Sequence, residues 1–303
     1  MITPIIFRIL QKEKFDLIHE FSSTPLILIR SFILRIFFGV PTIFTHSVFN
    51  KTVLGKNFWF KIFDFASIYI LQAEEQVKKL SNLGVKEDKI KLIYPFIEKN
   101  RFTKKIDKKI ARTKLFLPQD RIIYCYFGSL TKEKGVLDLV NAINLLDKTI
   151  LSNSLFVFFI VWKGSTEHDE ILSKLKNQSI LVREEYVDIP TLIAASDVVV
   201  LPQRTGTGAT IPQISLLEAI LMGKRFICTD IIGNKEWIDN ANGVLVPPKD
   251  PFQLKKAIEF LFLRSSTQLV NNKDLIASLN PRGILERYLD TYKKSAEFYS
   301  YKF

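Results

Sequence analysis

The hydrophobic and polar positions of the chain switch between two periods almost from end to end. Short apolar runs such as Ile122 to Phe127 and Asp197 to Leu201 have the length of strands that are covered on both faces. The longer segments between them, such as 136–147 and 251–263, have the spacing of apolar residues that is typical of helices. Regular alternation of strands with helices predicts an α/β fold built on parallel sheets.

The same pattern divides the chain into two domains. Four predicted strands precede a lysine-rich polar stretch near 98–118, which is interpreted as a linker, and about six follow it. A Rossmann-like domain normally needs more than four strands, so the first domain is predicted to be partial. The predicted boundaries are 1–105 for the first domain, 106–281 for the second and 282–303 for a terminal helix.

The most informative segment runs from Ser196 to Asp250 and is interpreted as strand, turn, helix, strand and short helix. Its turn, Gly206 to Thr210, precedes a helix with Pro212 near the first turn and Gly223 just past the end. Such a helix start presents unpaired N–H groups and the positive end of a dipole, where anions bind. Glu218 lies two turns into this helix, within reach of a ligand held there. A phosphate-binding loop beside a carboxylate that accepts hydrogen bonds from sugar hydroxyls predicts a nucleotide or nucleotide-sugar ligand.

Cysteine and histidine are sparse. Cys125 and Cys228 both fall in predicted strands, which favours buried thiols in a reducing cytoplasm. His19, His46 and His168 are far apart and no Asp-x-Asp pair occurs, so neither a metal ion nor a metal-bound pyrophosphate is predicted. No cofactor is expected apart from a donor substrate.

The net charge of +12 is unevenly distributed. Residues 1–105 hold 17 Lys and Arg against 9 Asp and Glu, a balance of +8, whereas the remainder holds 26 against 22, a balance of +4. A basic first domain favours an anionic partner such as a lipid surface, although a merely solvated lysine-rich surface is the open alternative. Nucleic acid is not predicted as a partner, because no recognisable binding module occurs.

No segment is predicted to span a bilayer. The most apolar region, Thr24 to Phe44, is interrupted by two arginines, a glycine and a proline, and falls short of the ~20 uninterrupted apolar residues required. Within it, Leu26 to Phe38 fits an amphipathic helix that either lies on a membrane or packs inside a domain, and packing is favoured. We therefore expect a cytoplasmic protein, with peripheral docking on the inner face of the membrane as the open alternative.

Several motif spacings in the second domain agree with those of one enzyme family. Gly128-Ser-Leu130 followed by Lys134-Gly135 stands where that family has Gly-Arg-Leu and Lys-Gly, and Leu217-Glu-Ala219 matches its Leu-Glu-Ala. The segment 120–262 thus resembles the nucleotide-sugar-binding domain of retaining glycosyltransferases of family 4, also called group 1, which have the GT-B fold. Further matches are Gly164, Tyr186-Val-Asp188, Thr229-Asp230, Asn242-Gly243 and Val246-Pro-Pro248.

The first domain resembles the same family more weakly. Asp16-Leu-Ile-His19 is similar to the family's Asp-Val-Val-His, and Thr45-His46 to its Thr-x-His. The family's opening strands and their glycine-rich loop, roughly the first quarter of a usual member, have no counterpart here. The resemblance implies a GT-B-like fold of two Rossmann-like domains with parallel sheets. The first, acceptor-side domain would be truncated, and the terminal helix would cross back to it.

The resemblance implies a role for each matching residue. Lys134 would neutralise the donor diphosphate, Glu218 would bind the ribose hydroxyls and His46 would lie near the transferred sugar, and these three are the predicted catalytic residues. For each a structural alternative is open: a solvated lysine, an ion-paired glutamate and a hydrogen-bonded core histidine. The remaining predicted donor contacts are Gly128, Ser129, Val187 against the base, Arg204, and the backbone amides of Gly208, Ala209 and Thr210.

Two positions depart from the family pattern. Ser129 stands where the family has an arginine, which removes a phosphate clamp for which Lys132 or Arg204 would substitute. Arg204 is equally compatible with an ordinary surface charge. Thr210 stands where the family has the first glutamate of its Glu-x7-Glu pair, so the donor and the activity are less firmly implied than the fold.

The resemblance implies a glycosyltransferase that moves a sugar from a UDP-sugar or GDP-sugar to a hydroxyl acceptor with retention. The acceptor would be a lipid-linked or saccharide precursor in the synthesis of cell-surface polysaccharide or glycolipid. The alternative is a non-catalytic or split-enzyme subunit that binds a nucleotide sugar and takes its missing strands from a partner chain.

Overall fold

The chain folds into two compact units, which are described separately. Unit 1 comprises Met1–Phe96, Gly206–Pro212 and Ser278–Phe303, and unit 2 comprises Ile97–Thr205 and Gln213–Ala277. None of the described helices is long and apolar enough to cross a membrane. The computed structural model describes residues 2–21, 30, 33–34, 36–46, 67–162, 164–206, 211–238, 243–264 and 277–300.

Helices and strands alternate along the chain, as the hydrophobic pattern predicts. Most of the predicted amphipathic segment Leu26 to Phe38 lies outside the described residues. In chain order the elements are α1 (Ile2–Lys12), β1 (Ile18–Glu20), β2 (Thr42–His46), β3 (Ile68–Leu71), α2 (Glu74–Asn82), β4 (Ile90–Leu92), α3 (Lys99–Phe102), α4 (Lys108–Lys114), β5 (Ile122–Ser129), α5 (Val136–Asn144), α6 (Lys148–Asn153), β6 (Ser154–Trp162), α7 (His168–Leu172), β7 (Ile180–Arg183), α8 (Ile189–Ala195), β8 (Val198–Leu201), α9 (Ile214–Leu221), β9 (Arg225–Thr229), β10 (Gly243–Val246), α10 (Pro251–Leu263) and α11 (Pro281–Ser300).

Unit 1 contains a four-stranded parallel sheet in the order β1-β2-β3-β4. Successive side chains of a strand point to opposite faces of the sheet, and both faces are apolar here. Ile43 and Ile70 pack with Ile284 of α11 on one face, and Phe44 and Tyr69 pack with residues of α2 on the other. Burial on both faces explains why these strands are nearly continuous apolar runs.

A neutral histidine joins α11 to the sheet of unit 1. The Nδ1 atom of His19 lies 2.6 Å from the hydroxyl of Tyr292, and its Nε2 atom lies 2.7 Å from Oγ1 of Thr45. Burial lowers the pKa of His19 to about 4, so the ring is neutral at physiological pH. A neutral ring has one donor and one acceptor nitrogen, and both are used in holding the helix to β2.

Unit 2 contains a six-stranded parallel sheet in the order β10-β9-β8-β5-β6-β7. Helices cover both of its faces. Tyr124 and Phe156 stack with ring centroids 4.9 Å apart in the core that includes α5 and α10, and Cys125 and Val157 lie in the core that includes α4 and α8. The strand order reverses between β8 and β5, so the carboxyl ends of these two strands form a topological switch point, where open α/β sheets bind ligands.

The predicted α/β fold with two parallel sheets is confirmed, and the sheets have the predicted four and six strands within the described ranges. Both cysteines are free and buried, as their strands indicated. The polar stretch interpreted as a linker instead contains α3 and α4, and Phe102 of α3 is buried. By their contacts, residues 97–105 belong to unit 2. The predicted domain boundary at residue 105 stays a prediction.

A buried guanidinium joins two strand starts of unit 2 to two helices. Arg112 of α4 is 2% exposed, and its Nη2 donates to Oδ2 of Asp197 at 2.6 Å. Its other N–H groups donate to the carbonyl of Ala195 in α8 and to three carbonyls in the turn before β5. The carboxylate of Asp197 also accepts from the backbone N–H of Ile123 at 2.7 Å. Every polar group of this cluster therefore has a partner, as a buried ion pair requires.

We predict that Arg112→Met lowers the free energy of unfolding by about 3 kcal/mol or more, because it leaves the half-exposed Lys108 as the remaining cation at Asp197 and removes the donor from four carbonyls. Urea denaturation monitored by circular dichroism measures the change. Arg121→Met, at an exposed arginine in the same unit, is the control and should change stability by less than about 0.5 kcal/mol. Equal effects of the two substitutions would contradict the prediction.

Candidate functional site

The candidate site lies at the switch point of unit 2, where a turn follows β5 and another follows β8. Gly135, with φ of 69°, ends the 3-10 turn Lys132–Lys134 that follows β5. A Cβ atom at this position would meet the carbonyl oxygen of Pro202 at 1.8 Å, so only glycine allows the two turns to approach so closely. Helix α5 starts at Val136, directly after the turn, and directs its free N–H groups toward the same place.

Three cationic side chains belong to these turns, and two of them are paired with carboxylates. The Nζ atom of Lys132 lies 3.5 Å from Glu167 and 3.6 Å from Glu170. Arg204 donates from Nε and Nη2 to the two oxygens of Asp138, each at 2.7 Å. These are the residues expected to substitute for the family's arginine at Ser129, and each has its charge balanced within the protein.

The third cation, Lys134, has no carboxylate partner in the described part of the chain. Its Nζ atom lies 3.4 Å from the amide oxygen Oε1 of Gln203, which is neutral. Burial lowers the pKa of Lys134 below its usual range. A half-buried ammonium that faces only an amide oxygen is well suited to an anionic ligand, because the ligand would supply the missing negative charge.

A network of buried amides supports this lysine. Gln203 and Asn234 are 1% and 0% exposed. Gln203 accepts a hydrogen bond from Nε2 of Gln213 at 2.6 Å, and Gln213 accepts one from Nδ2 of Asn234 at 2.9 Å. Asn234 also donates to the carbonyl of Thr229 at the end of β9. The network therefore links the turn after β8, the residue before α9 and the end of β9.

No pattern in the sequence predicts this network. Its three amides lie outside the apolar runs, 10 to 31 positions apart, and no motif relates them. One signal was present, because Gln203 and Gln213 flank the glycine-rich turn that had been singled out. Their pairing still depends on how the chain returns from that turn, which sequence spacing does not specify.

Glu218 lies in α9 and is a half-buried carboxylate. Within the described residues it forms neither a hydrogen bond nor an ion pair. Burial raises the pKa of Glu218 to about 7, and the positive charge of Arg101 opposes that rise. The structural alternative of an ion-paired glutamate is therefore not observed, and an unpaired carboxylate with a raised pKa is typical of binding and catalytic sites.

The other predicted contacts are distributed as follows. Gly128 and Ser129 end β5, and the carbonyl of Ser129 accepts from the hydroxyl of Tyr126 at 2.7 Å. Val187 is buried in the core beside α8, next to the exposed Tyr186. The roles predicted for these residues stay predictions.

Two sets of predicted contacts are outside what the structure describes. Gly208, Ala209 and Thr210 are not among the described residues, so their predicted amide contacts are not assessed. The backbone of His46 ends β2 in unit 1, opposite Leu71, and its side chain is not described. Among the described residues, no group of three His, Cys, Asp or Glu side chains has the arrangement of a metal site.

Comparison with known proteins agrees with this geometry. Residues 121–263, slightly less than half of the chain, match the family model described as "Glycosyl transferases group 1". Over 264 residues the chain is 27% identical to UDP-Gal:alpha-D-GlcNAc-diphosphoundecaprenol alpha-1,3-galactosyltransferase of Escherichia coli. That alignment covers 81% of this chain and 66% of the relative, so the chain spans less than two thirds of the relative's length.

Solved structures share the fold. Anabaena Alr3699/HepE in complex with UDP is 16% identical with a TM-score of 0.79, and the match covers 96% of this chain and 82% of that one. A glycosyltransferase from Rickettsia africae ESF-5 is 20% identical with a TM-score of 0.76, covering 97% and 80%. The fold is thus that of GT-B glycosyltransferases. Residues 121–263 are therefore similar to a group 1 glycosyltransferase domain.

We predict that Glu218→Gln stabilises the protein at alkaline pH. The pKa of this carboxyl rises from 4.5 in the unfolded chain to about 7 in the folded one, so its ionised form destabilises the fold. The loss of unfolding free energy grows between these two pH values and is constant above them. The substitution should raise the free energy of unfolding by about 1–2 kcal/mol at pH 8 and change it little at pH 4. Urea denaturation at the two pH values measures this. Glu185→Gln, at an exposed glutamate, is the control, and a pH-independent effect of Glu218→Gln would refute the assignment.

Proposed function

We propose that the chain transfers a sugar from a nucleoside-diphosphate sugar, most simply a UDP-sugar, to a hydroxyl acceptor with retention of configuration. The observation that carries this proposal is the ammonium of Lys134, which faces the switch point without a carboxylate partner among the described residues. The name of the Escherichia coli relative contains UDP-Gal, and the Anabaena neighbour was solved with UDP. Both support uracil as the donor base.

The donor would bind with its diphosphate against the turn after β5. Lys134 supplies the positive charge, and the N–H groups at the start of α5 supply hydrogen bonds and the positive end of the helix dipole. Glu218 would accept hydrogen bonds from the ribose hydroxyls in its ionised form. Such bonds stabilise the carboxylate, so nucleotide binding is expected to lower the pKa of Glu218 from about 7.

Glycosyl transfer would then proceed by loss of the diphosphate. The bond between the anomeric carbon and the phosphate oxygen breaks, and the acceptor oxygen forms its bond to the same face of that carbon. The acceptor's proton passes to the leaving phosphate oxygen, so no protein nucleophile is required. Lys134 and the helix N–H groups would stabilise the negative charge that grows on the leaving group.

The acceptor is proposed to be lipid-linked, as it is in the name of the Escherichia coli relative. Unit 1 offers a surface that suits an anionic membrane. Ile5 and Ile9 lie one turn apart on α1 and are exposed, with Arg8 and Lys12 beside them. Apolar side chains flanked by basic ones favour the interface of an anionic bilayer, so peripheral attachment at the inner face of the membrane is part of the proposal.

We predict that Lys134→Ala weakens the binding of UDP by about 1–3 kcal/mol, the size of a lost charged hydrogen bond. Isothermal titration calorimetry on the whole chain measures the affinity. Lys176→Ala, at an exposed lysine in the loop before β7, is the matched control and should leave the affinity unchanged. An unchanged affinity in Lys134→Ala would remove this lysine from the site, and a wild-type chain that binds no nucleoside diphosphate would overturn the proposed function.

A second prediction concerns the membrane. Transfer of labelled sugar from UDP-sugars to a lipid-linked acceptor should be faster on vesicles with anionic lipid than on neutral ones, and the difference should shrink as salt is raised. Ile5→Glu should reduce vesicle binding, because it places a carboxylate at the docking surface. Leu263→Glu, at an exposed leucine of unit 2, should not. If both variants bind vesicles as the wild type does, α1 is not the docking surface.

A further inference from the structure

The charges around the switch point are arranged unequally. Lys132 and Arg204 face carboxylates, whereas Lys134, two residues after Lys132, contacts the amide oxygen of Gln203 and no carboxylate among the described residues. An aspartate or glutamate at position 203 would have balanced the charge of Lys134 as Asp138 balances that of Arg204. The neutrality of residue 203 is therefore the feature that separates this lysine from its two neighbours.

The orientation of the Gln203 amide is determined by its partners. Its Nε2 donates to the carbonyl of Thr205 at 2.7 Å, so the oxygen Oε1 must be at the other side of the group. That oxygen accepts from Nε2 of Gln213 at 2.6 Å and faces Nζ of Lys134 at 3.4 Å. A flipped amide would place its NH2 group against two other donors. The residue is 1% exposed, so its amide is shielded from bulk solvent.

The backbone of residue 203 is held as firmly as its side chain. Its carbonyl accepts from Oγ1 of Thr229 at 2.5 Å, which ties it to the end of β9. A second hydrogen bond holds the turn after β8 to the turn after β5, because Oγ1 of Thr205 donates to the carboxylate of Glu133 at 2.6 Å. Gln203 thus presents a fixed, neutral acceptor to the ammonium of Lys134.

We propose that Gln203 is a positioning residue that determines donor affinity: its neutral amide oxygen orients the ammonium of Lys134 and leaves its positive charge for the diphosphate. This inference rests on the proposed function and names the part of the protein on which diphosphate recognition depends. A carboxylate at position 203 would form a charge-assisted hydrogen bond with Lys134 and would repel the diphosphate. The packing would change little, because glutamine and glutamate have nearly the same shape. The carbonyl of Thr205 would lose its donor Nε2 in Gln203→Glu and in Gln203→Met, so the comparison of these two variants takes this loss into account.

The test compares Gln203→Glu with Gln203→Met by calorimetry, using UDP and inorganic pyrophosphate as ligands. Gln203→Glu should weaken the binding of both by about tenfold or more, the effect of a lost charged contact. Gln203→Met also removes the amide oxygen that orients Lys134 but introduces no charge, so it should weaken binding clearly less than Gln203→Glu does. Gln178→Glu adds the same charge at an exposed glutamine and should change neither affinity. If Gln203→Met weakens binding as much as Gln203→Glu does, residue 203 acts through packing and the inference fails.

A double substitution tests whether Gln203 acts through the lysine. In a Lys134→Ala background Gln203→Glu should cause a smaller loss of pyrophosphate affinity than it causes in the wild type, because the positive charge that it would balance is already absent and only its repulsion of the diphosphate remains. Losses that multiply in the double variant would show that the two residues act independently and would overturn the inference.

A measurement without any ligand separates this inference from the proposed function. Lysines labelled with ¹⁵N report the pKa of Lys134 by NMR titration, with Lys134→Ala as the assignment control. Burial lowers that pKa in the wild type, and Gln203→Glu should raise it by about one unit or more. Equal pKa values in the two proteins would overturn the inference. A clear rise together with absent UDP binding in the wild type would instead overturn the proposed function alone.

Discussion

The close contact between the backbone of Gly135 and the carbonyl oxygen of Pro202 holds together the two turns on which the site depends. A side chain at position 135 would place its Cβ atom 1.8 Å from that oxygen, so the turns would have to separate. Lys134 precedes this contact and Gln203 follows it, and their 3.4 Å approach is its direct consequence. The positive φ at Gly135 also allows α5 to begin immediately afterwards, with its N–H groups directed at the same crevice.

The charged side chains of unit 2 have different surroundings at the two ends of its strands. At the amino ends of β5 and β8, Arg112 and Asp197 are fully hydrogen-bonded to each other and to the backbone, which joins helices to strands. At the carboxyl ends, Lys134 and Glu218 are partly desolvated and lack charged partners within the described residues. Desolvation without pairing costs stability, so a fold tolerates it where a ligand completes the site. The same contrast distinguishes Arg204, held by Asp138, from Lys134.

The sequence predicted much of this arrangement because local signals were strong. Buried parallel strands are continuous apolar runs, so nine of the ten described strands were anticipated. Strand β10 was not, because its segment was interpreted as a loop and a short helix. Lys134 and Glu218 were found through motif spacing. The interpretation of 98–118 as a linker was wrong for α3 and α4, because Phe102 is buried and Arg112 pairs with Asp197, 85 positions away. A polar helix with one buried residue per turn does not differ from a linker in composition.

The amino-acid sequence by itself determined the α/β class, the order of the strands along the chain, the glycine at position 135 and the presence of a lysine and a glutamate near a ligand crevice. Only the tertiary structure decided which cations are available, because motif spacing selects Lys134 but does not show that carboxylates balance the charges of Lys132 and Arg204. Those partners, Glu167, Asp138 and Gln203, lie 35 to 69 positions from them and are brought close by the reversal of strand order between β5 and β8. Charge pairing between residues so far apart in sequence depends on the crossover connections of the chain, and no local sequence pattern predicts it.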